Sequence, residues 1–287
     1  MNHEEPFITV KDFTVSQEEF QLIYDKDLEL LKTHPQPLEI NLPRYYNSEA
    51  YISHTNTKRN LFERVYHVVR SYMLKRKLRL LNSLKTPNKT VLDIGCGTGD
   101  FLNEALHNGW QVIGIEPNPK ARELANAKTK NSVYDNSQLS KLNNKRFDII
   151  TMWHVLEHVV DYNDHFNIAY RLLKDNGYFI LALPNFKSLD AEHYGEFWAG
   201  YDVPRHLWHF SKDAIIKISE EHQFRVEQIL PLRFDAYYVS MLSEKYKTGK
   251  MNFFRAMLIG FKSNREAKRT NQYSSLIYVL KKTSDLK

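Results

Sequence analysis

The chain has 287 residues, 42% of them apolar, which suits one large domain with additions and a sizeable core. A single cysteine rules out a disulfide framework, and a formal charge of +6 permits an acidic partner without requiring one. The start, Met1-Asn2-His3-Glu4-Glu5-Pro6, lacks the basic opening and apolar run of a signal peptide, and no uncharged apolar run approaches the ~18 residues of a membrane span, so a soluble cytoplasmic protein is expected.

In chain order, residues 1–60 hold short β-prone pieces, Phe7-Ile8-Thr9-Val10 and Phe20-Gln21-Leu22-Ile23-Tyr24, among prolines, and read as a small β-rich leader. From Leu61 the pattern turns helical, with Leu61, Val65, Val68 and Tyr72 on one face; this helix is taken as a unit of its own over 61–88. Lys75, Arg76, Lys77 and Arg79 crowd its far end. A solvated helix terminus, where cations suit the dipole, is favoured over a nucleic-acid surface, and no specific nucleic-acid partner is expected.

The stretch Val91-Leu92-Asp93-Ile94-Gly95-Cys96-Gly97-Thr98-Gly99-Asp100-Phe101 follows. A short apolar strand runs through an acid into three of the chain's ten glycines, and an amphipathic segment comes next. Such a cluster between strand and helix marks a turn where backbone approaches a ligand. A dinucleotide fingerprint Gly-x-Gly-x-x-Gly needs its third glycine at position 100, where Asp100 stands. Gln111-Val112-Ile113-Gly114-Ile115-Glu116 reads as a second strand ending in a carboxylate able to accept from both hydroxyls of a ribose. Asp135, after the third strand, is either a ligand for an adenine amino group or a solvated turn residue. A fourth apolar strand, within Arg146–Met152, leads into Trp153-His154-Val155-Leu156-Glu157-His158 and a helix to about Lys174; Gly177 to Leu183 is a fifth strand. Alternating strands and helices imply a parallel sheet covered on both faces, with ligands beyond the carboxyl ends of the strands.

The segment from His193 to Ser211 packs aromatics, histidines and Arg205 into one connector, read as either a lining of the site or a structural corner in which His206 and His209 bond backbone. Phe224–Ile229 and Ser275–Leu280 are the last strands, around an insertion at about 234–272. Between Met241 and Thr270 eight bases face Glu244 and Glu266, an excess of +6, interleaved with Phe253, Phe254, Met257, Leu258 and Phe261. Two readings stand: a lid whose apolar face packs on the catalytic domain, which is favoured, or a basic amphipathic segment making peripheral contact with an anionic membrane.

The spacing Asp-x-Gly-x-Gly-x-Gly, with Glu116 and the block around Trp153-His154 in the same order, resembles class I S-adenosylmethionine-dependent methyltransferases over roughly residues 88–287. The resemblance implies an α/β, Rossmann-like doubly wound sheet, mostly parallel with an antiparallel last strand, and S-adenosyl-L-methionine as cofactor. It implies that the glycine loop passes the methionine part, with Asp93 near the amino group. Cofactor contacts are then expected from Asp93, Gly95, Cys96, Gly97, Gly99, Glu116, Asp135 and Trp153, in a domain spanning 89–287. Trp153, His154 and the 193–211 loop are expected to line the acceptor side. The acceptor is read as a small-molecule, lipid-like or glycan-type hydroxyl, with His154, His206 or His209 as base by virtue of titration near neutrality.

Thr33-His34-Pro35-Gln36-Pro37, with Tyr45-Tyr46 and Tyr51-Ile52-Ser53-His54, resembles the leader of a methyltransferase subgroup that carries a zinc ribbon. Here the cysteine pair is replaced by Tyr24-Asp25-Lys26-Asp27-Leu28, so a degenerate ribbon without metal is expected. Quinone-pathway O-methyltransferases share the Leu-Glu-His piece but have an acid where this chain has His154. No metal is therefore expected at His154, Glu157 and His158, where Glu157 caps or pairs locally and His158 packs. A nicotinamide-dependent oxidoreductase, opposed by Asp100, and a non-catalytic binding module of the same fold are the alternatives.

Overall fold

The computed structural model describes residues 5–46, 61–144 and 146–283. The expected Tyr51–His54 piece and the side chains of Leu61 and Val65 lie outside the described residues. Three strands, β1 (Ile8–Lys11), β2 (Glu19–Asp25) and β3 (Leu30–His34), make an antiparallel meander. On β2, buried Phe20 and Leu22 alternate with exposed Glu19 and Gln21, the pattern of a strand with one face covered. The turn into β3 is built on Asp25, whose Oδ1 accepts the N–H groups of Asp27 and Leu28, both at 2.9 Å.

The main body runs α1 (Leu61–Ser83), β4 (Thr90–Ile94), α2 (Asp100–His107), β5 (Gln111–Ile115), α3 (Pro119–Lys128), β6 (Val133–Tyr134), β7 (Phe147–Trp153), α4 (Tyr162–Leu172) and β8 (Leu173–Pro184). It continues through α5 (Leu189–Tyr194), β9 (Trp208–His209), α6 (Lys212–Glu221), β10 (Phe224–Pro231), α7 (Asp235–Thr248), α8 (Phe253–Thr270) and β11 (Ser275–Lys282). Seven strands form one sheet in the order β10-β11-β8-β7-β4-β5-β6. β4 to β8 pair in parallel, and β11 is antiparallel to both its neighbours. The chain leaves β4 in one direction and returns on its other side as β7, so a switch point opens beyond the carboxyl ends of these two strands.

Every residue of β7 is buried, and the strand is apolar except at Asp148 and Thr151, whose side chains bond Thr90 and Asp93 of β4. Ile150 and Met152 face Phe166, Ala169 and Leu172 of α4 and Ile215 and Ile218 of α6. Ile149 and Trp153 face Leu78 and Leu81 of α1 and Phe101, Leu102 and Ala105 of α2. The helices start where side-chain caps allow: Asn118, Asp161 and Ser211 each accept from an N–H group of the first turn.

The expected apolar face of α1 is corrected at its described end. Val68 is 69% exposed and Tyr72 is also exposed, whereas Leu78 and Leu81, farther along, carry the packing. The helix docks through its second half, and its first half projects toward the glycine loop, where Arg70 pairs with Asp100.

The 193–211 segment ties the two sheets together. β9 adds to β3, pairing Leu31 with His209 and Lys32 with Trp208, and so completes a four-stranded sheet. Leu207 N–H donates to the Glu157 carbonyl at 2.8 Å and its own carbonyl accepts from Thr33 N–H at 3.1 Å.

The insertion is a helical hairpin of α7 and α8. The face of α8 that meets the rest of the molecule is mostly small, Ala256, Gly260, Ser263 and Ala267, with Ile259 packed into the core beside them. A Cβ on Gly260 would stand 2.7 Å from the Tyr237 ring and 3.0 Å from its Cα, so only glycine permits this approach of α7. Phe253, Phe254, Leu258 and Phe261 point outward instead.

Candidate active site

Beyond β4, the N–H groups of Gly95 and Cys96 both donate to the Ile115 carbonyl, at 2.8 and 3.1 Å, binding the glycine loop to the end of β5. The glycines serve different ends. A Cβ at Gly95 would stand 2.5 Å from Val155, and one at Gly99 2.8 Å from Ala125, so these two make room for protein. Gly97, at φ +56°, has nothing within 4 Å of its Cβ position: the space above it is open to a ligand.

Glu116 lies directly against this opening. Its Oε2 accepts from Gly97 N–H at 2.8 Å and its Oε1 from Asn118 N–H at 2.9 Å, which fixes both oxygens and leaves each a further lone pair. Asp93 is buried on β4 and accepts the Thr151 hydroxyl at 2.6 Å. Burial pushes its carboxyl up to about 7, helped by the Glu116 charge and opposed by Thr151 and Lys77. Cys96 is held as a thiol, since burial and the Asp93 and Glu116 charges push it up. Asp135 sits after β6 as a turn residue, its Oδ1 accepting Ser137 N–H at 2.8 Å and Ser137 Oγ at 2.5 Å.

Trp153 and His154 close the other side. The Trp153 ring meets Phe101 edge-on, its buried Nε1–H has no acceptor, and the Lys77 ammonium sits 4.4 Å from the ring centroid. Burial lowers Lys77 to about 8 against the pull of Asp93 and Asp235. Lys77 is therefore no part of a solvated helix end. It lies between Leu74 and Leu81 on the inner face of α1, a spacing that could have singled it out from Lys75 and Arg79.

His154, at φ +57°, is held by its N–H to the Ala182 carbonyl at 2.9 Å. Its imidazole is 38% exposed and spans two carboxylates, Nδ1 to Glu157 at 3.5 Å and Nε2 to Asp235 at 3.3 Å. Burial alone would lower it, but Asp235 and Glu157 together raise it to about 9. Asp235 opens α7 and was not singled out in sequence, because a lone acid at a helix start is ordinary.

The expectation that His154, His206 and His209 titrate near neutrality is corrected for all three. His206 is driven well below its usual value by burial and by His158, and its Nδ1 bonds the Gly200 carbonyl at 2.9 Å. His209 is lowered to about 3 by burial. Thr33 gives its one hydroxyl proton to the His206 carbonyl at 2.7 Å, so His209 Nε2 must donate to Thr33 Oγ1 at 3.0 Å. The His209 ring and the His206 carbonyl thus join the 193–211 segment, a strap, to Thr33 of the N-terminal sheet, while the His206 ring bonds within the strap. His206 has a second relation. The Glu157 carboxylate, 1% exposed with no hydrogen bond on either oxygen, lies with a ring nitrogen of His158 and one of His206 within 4.8 Å of one another. One carboxylate and two imidazoles can hold a divalent cation such as zinc. Sequence reasoning grouped Glu157 and His158 with His154 instead, since only the folded strap brings in His206.

A glycine loop open at its middle residue, a carboxylate at the end of the next strand and the switch point beside them fit the cofactor site of the class I, S-adenosylmethionine-dependent methyltransferase fold. The chain belongs to the methyltransferase-domain family, whose model matches residues 65–229. It is 30% identical over 147 residues to the ubiquinone biosynthesis O-methyltransferase of Rhodopseudomonas palustris (strain TIE-1), a match covering 49% of this chain and 58% of that protein. The corresponding protein of Pelagibacter ubique (strain HTCC1062) is 26% identical over 181 residues, covering 59% and 73%. The chain thus matches between about half and three quarters of the length of these relatives. Among solved structures, magnesium protoporphyrin IX methyltransferase from Synechocystis PCC 6803 with bound SAH superposes with a TM-score of 0.56 at 15% identity, over 83% of this chain and 97% of that one, a likeness of fold.

Proposed function

We propose that this protein transfers a methyl group from S-adenosylmethionine to a hydroxyl oxygen of a small-molecule acceptor. The observation that carries the reading is the opening between Gly97 and Glu116 on one side and Trp153, His154 and Asp235 on the other. The O-methyltransferase names of relatives at about 30% identity support oxygen as the acceptor atom. When bound, the cofactor supplies a methyl group on a sulfonium, already a good leaving group, so the protein's main task is positioning. Glu116 offers its two free lone pairs to the ribose and Asp93 its negative charge to the amino group. His154, in its neutral form, would take the proton that the acceptor hydroxyl gives up as its oxygen is methylated.

Thermal shift with S-adenosylhomocysteine and methyl transfer to hydroxylated small molecules test this reading. At about 100 times Kd the product should stabilise the fold by about 2.7 kcal/mol, and nicotinamide dinucleotides should not. Gly97→Arg should abolish the shift by filling the open space with a side chain at positive φ; an unaltered shift in that variant refutes the assigned pocket. Methyl recovered only on nitrogen would refute the acceptor class.

Affinity for the product should also depend on pH through Asp93. Its carboxyl is raised to about 7 in the free protein, and the bound amino group favours the ionised form. Binding should be constant above pH 7 and weaken about tenfold for each unit below it, with a proton released on binding. Asp93→Asn should flatten the profile. A wild-type affinity that does not change between pH 5.5 and 8 would remove Asp93 from the site.

A further inference from the structure

We propose that the outward face of α8 docks the protein on an anionic lipid bilayer. Amphipathic helices of folded domains normally bury their large apolar residues and expose the small or polar ones. α8 buries one large apolar residue, Ile259, and otherwise does the reverse. Its small stripe, Ala256, Gly260, Ser263 and Ala267, faces inward, and this orientation is anchored: Ser263 Oγ donates to buried Asp190 at 2.5 Å, and Arg255 pairs with buried Glu244 at 3.2 Å. The opposite stripe carries Phe254, Leu258 and Phe261, at i, i+4 and i+7, with Phe253 and Met251 at the helix start. Phe254 is 87% exposed, and Leu258 and Phe261 are more than half exposed. Packing within the fold therefore leaves these side chains in water.

Cations surround them. Lys245, Lys247, Lys250, Lys262, Arg265 and Lys268 form no ion pair among the described residues, so their charge is available to a partner. A convex helix with protruding aromatics and flanking lysines matches an interface in which apolar tips enter the acyl boundary and ammonium groups meet lipid phosphates. The same charge opposes a second copy of the chain, since like-charged faces would have to meet. Among the described residues no helix is long and apolar enough to cross a membrane, so the contact is peripheral. The proposal does not depend on which acceptor is methylated.

Sedimentation of the full chain with vesicles tests it. Vesicles of phosphatidylcholine with about a third phosphatidylglycerol should bind the protein, and phosphatidylcholine alone should bind at least about tenfold more weakly. Binding should fall severalfold between 0.1 and 0.5 M salt as the charges are screened. Phe254→Glu with Leu258→Glu should cut it at least about tenfold, and because both residues are exposed the melting temperature should hold. Lys262→Gln with Arg265→Gln should weaken binding while leaving the apolar stripe intact. The proposal is overturned if anionic vesicles fail to bind the wild type, or if the double glutamate variant binds equally well. It is also overturned if sedimentation velocity shows a dimer that this variant dissolves, which would identify the face as a contact between copies.

Discussion

His154→Ala should lower turnover on a hydroxyl acceptor by about 10²-fold or more while stabilisation by S-adenosylhomocysteine is kept. The pH profile carries the sharper expectation. Asp235 and Glu157 hold the imidazole charged up to about pH 9, so only about one molecule in a hundred carries the neutral base at pH 7. The rate should accordingly rise about tenfold per unit from pH 6 to 8 and level near 9. Asp235→Asn removes the charge at 3.3 Å from Nε2 and should move this limb to lower pH. The pairing has a stability counterpart of the same sign: it supports the fold fully below pH 6.5 and fades as the pH rises through about 9. A rate independent of pH between 6 and 9, with His154→Ala near normal, would show that positioning alone suffices.

Arg205→Ala should destabilise the protein by about 3–5 kcal/mol, a large part of the roughly 5–15 kcal/mol by which domains are stable. Arg205 is buried, grips Asp202 with Nε at 3.0 Å and Nη2 at 2.7 Å, reaches Asp12 at 2.9 Å and donates to the Tyr45 carbonyl at 3.0 Å. Asp12 lies at the end of the first hairpin and Asp202 in the strap, so this guanidinium holds the N-terminal sheet to the methyltransferase body. Removing it leaves the Asp12 carboxylate buried without a counter-ion. Burial alone would raise Asp12, but Arg205, Ser16 and Thr14 hold it well below the usual carboxylate range. Its contribution is therefore present above about pH 4 and lost as the pH falls below that. Denaturant unfolding at pH 7 checks the magnitude, and Arg205→Lys should recover part of it, keeping the charge but not the fork. A loss under about 1 kcal/mol would mean that the strap is held by its backbone pairing with β3 instead.

The cofactor half was legible because its signals are local. A glycine at positive φ, a carboxylate at a strand end and a mostly apolar strand each follow from a few consecutive residues, so Asp93, Gly97 and Glu116 could be named from spacing and resemblance. The side of the opening formed by Trp153 and His154 was legible only in part. His154 stood out, but the direction in which it titrates depends on Asp235, eighty-one residues later and brought beside it by α7.

The histidines of the strap show the same division. His206 and His209 invited a catalytic reading because an imidazole in water titrates near neutrality; buried against Thr33 and the Gly200 carbonyl, neither does. In α8 the sequence alone determined a basic, amphipathic helix but not which stripe turns inward. Close approach of α7 at Gly260 and the buried Asp190 favoured the small stripe, and the phenylalanines were left outside. Residue order by itself thus settled the doubly wound sheet, the glycine turn between β4 and α2 and the family, since these rest on periodicity and short spacing. Charge states, the partners of each histidine and the outward face of the insertion belong to the tertiary structure, because burial and long-range contacts set the local dielectric and decide which face meets water.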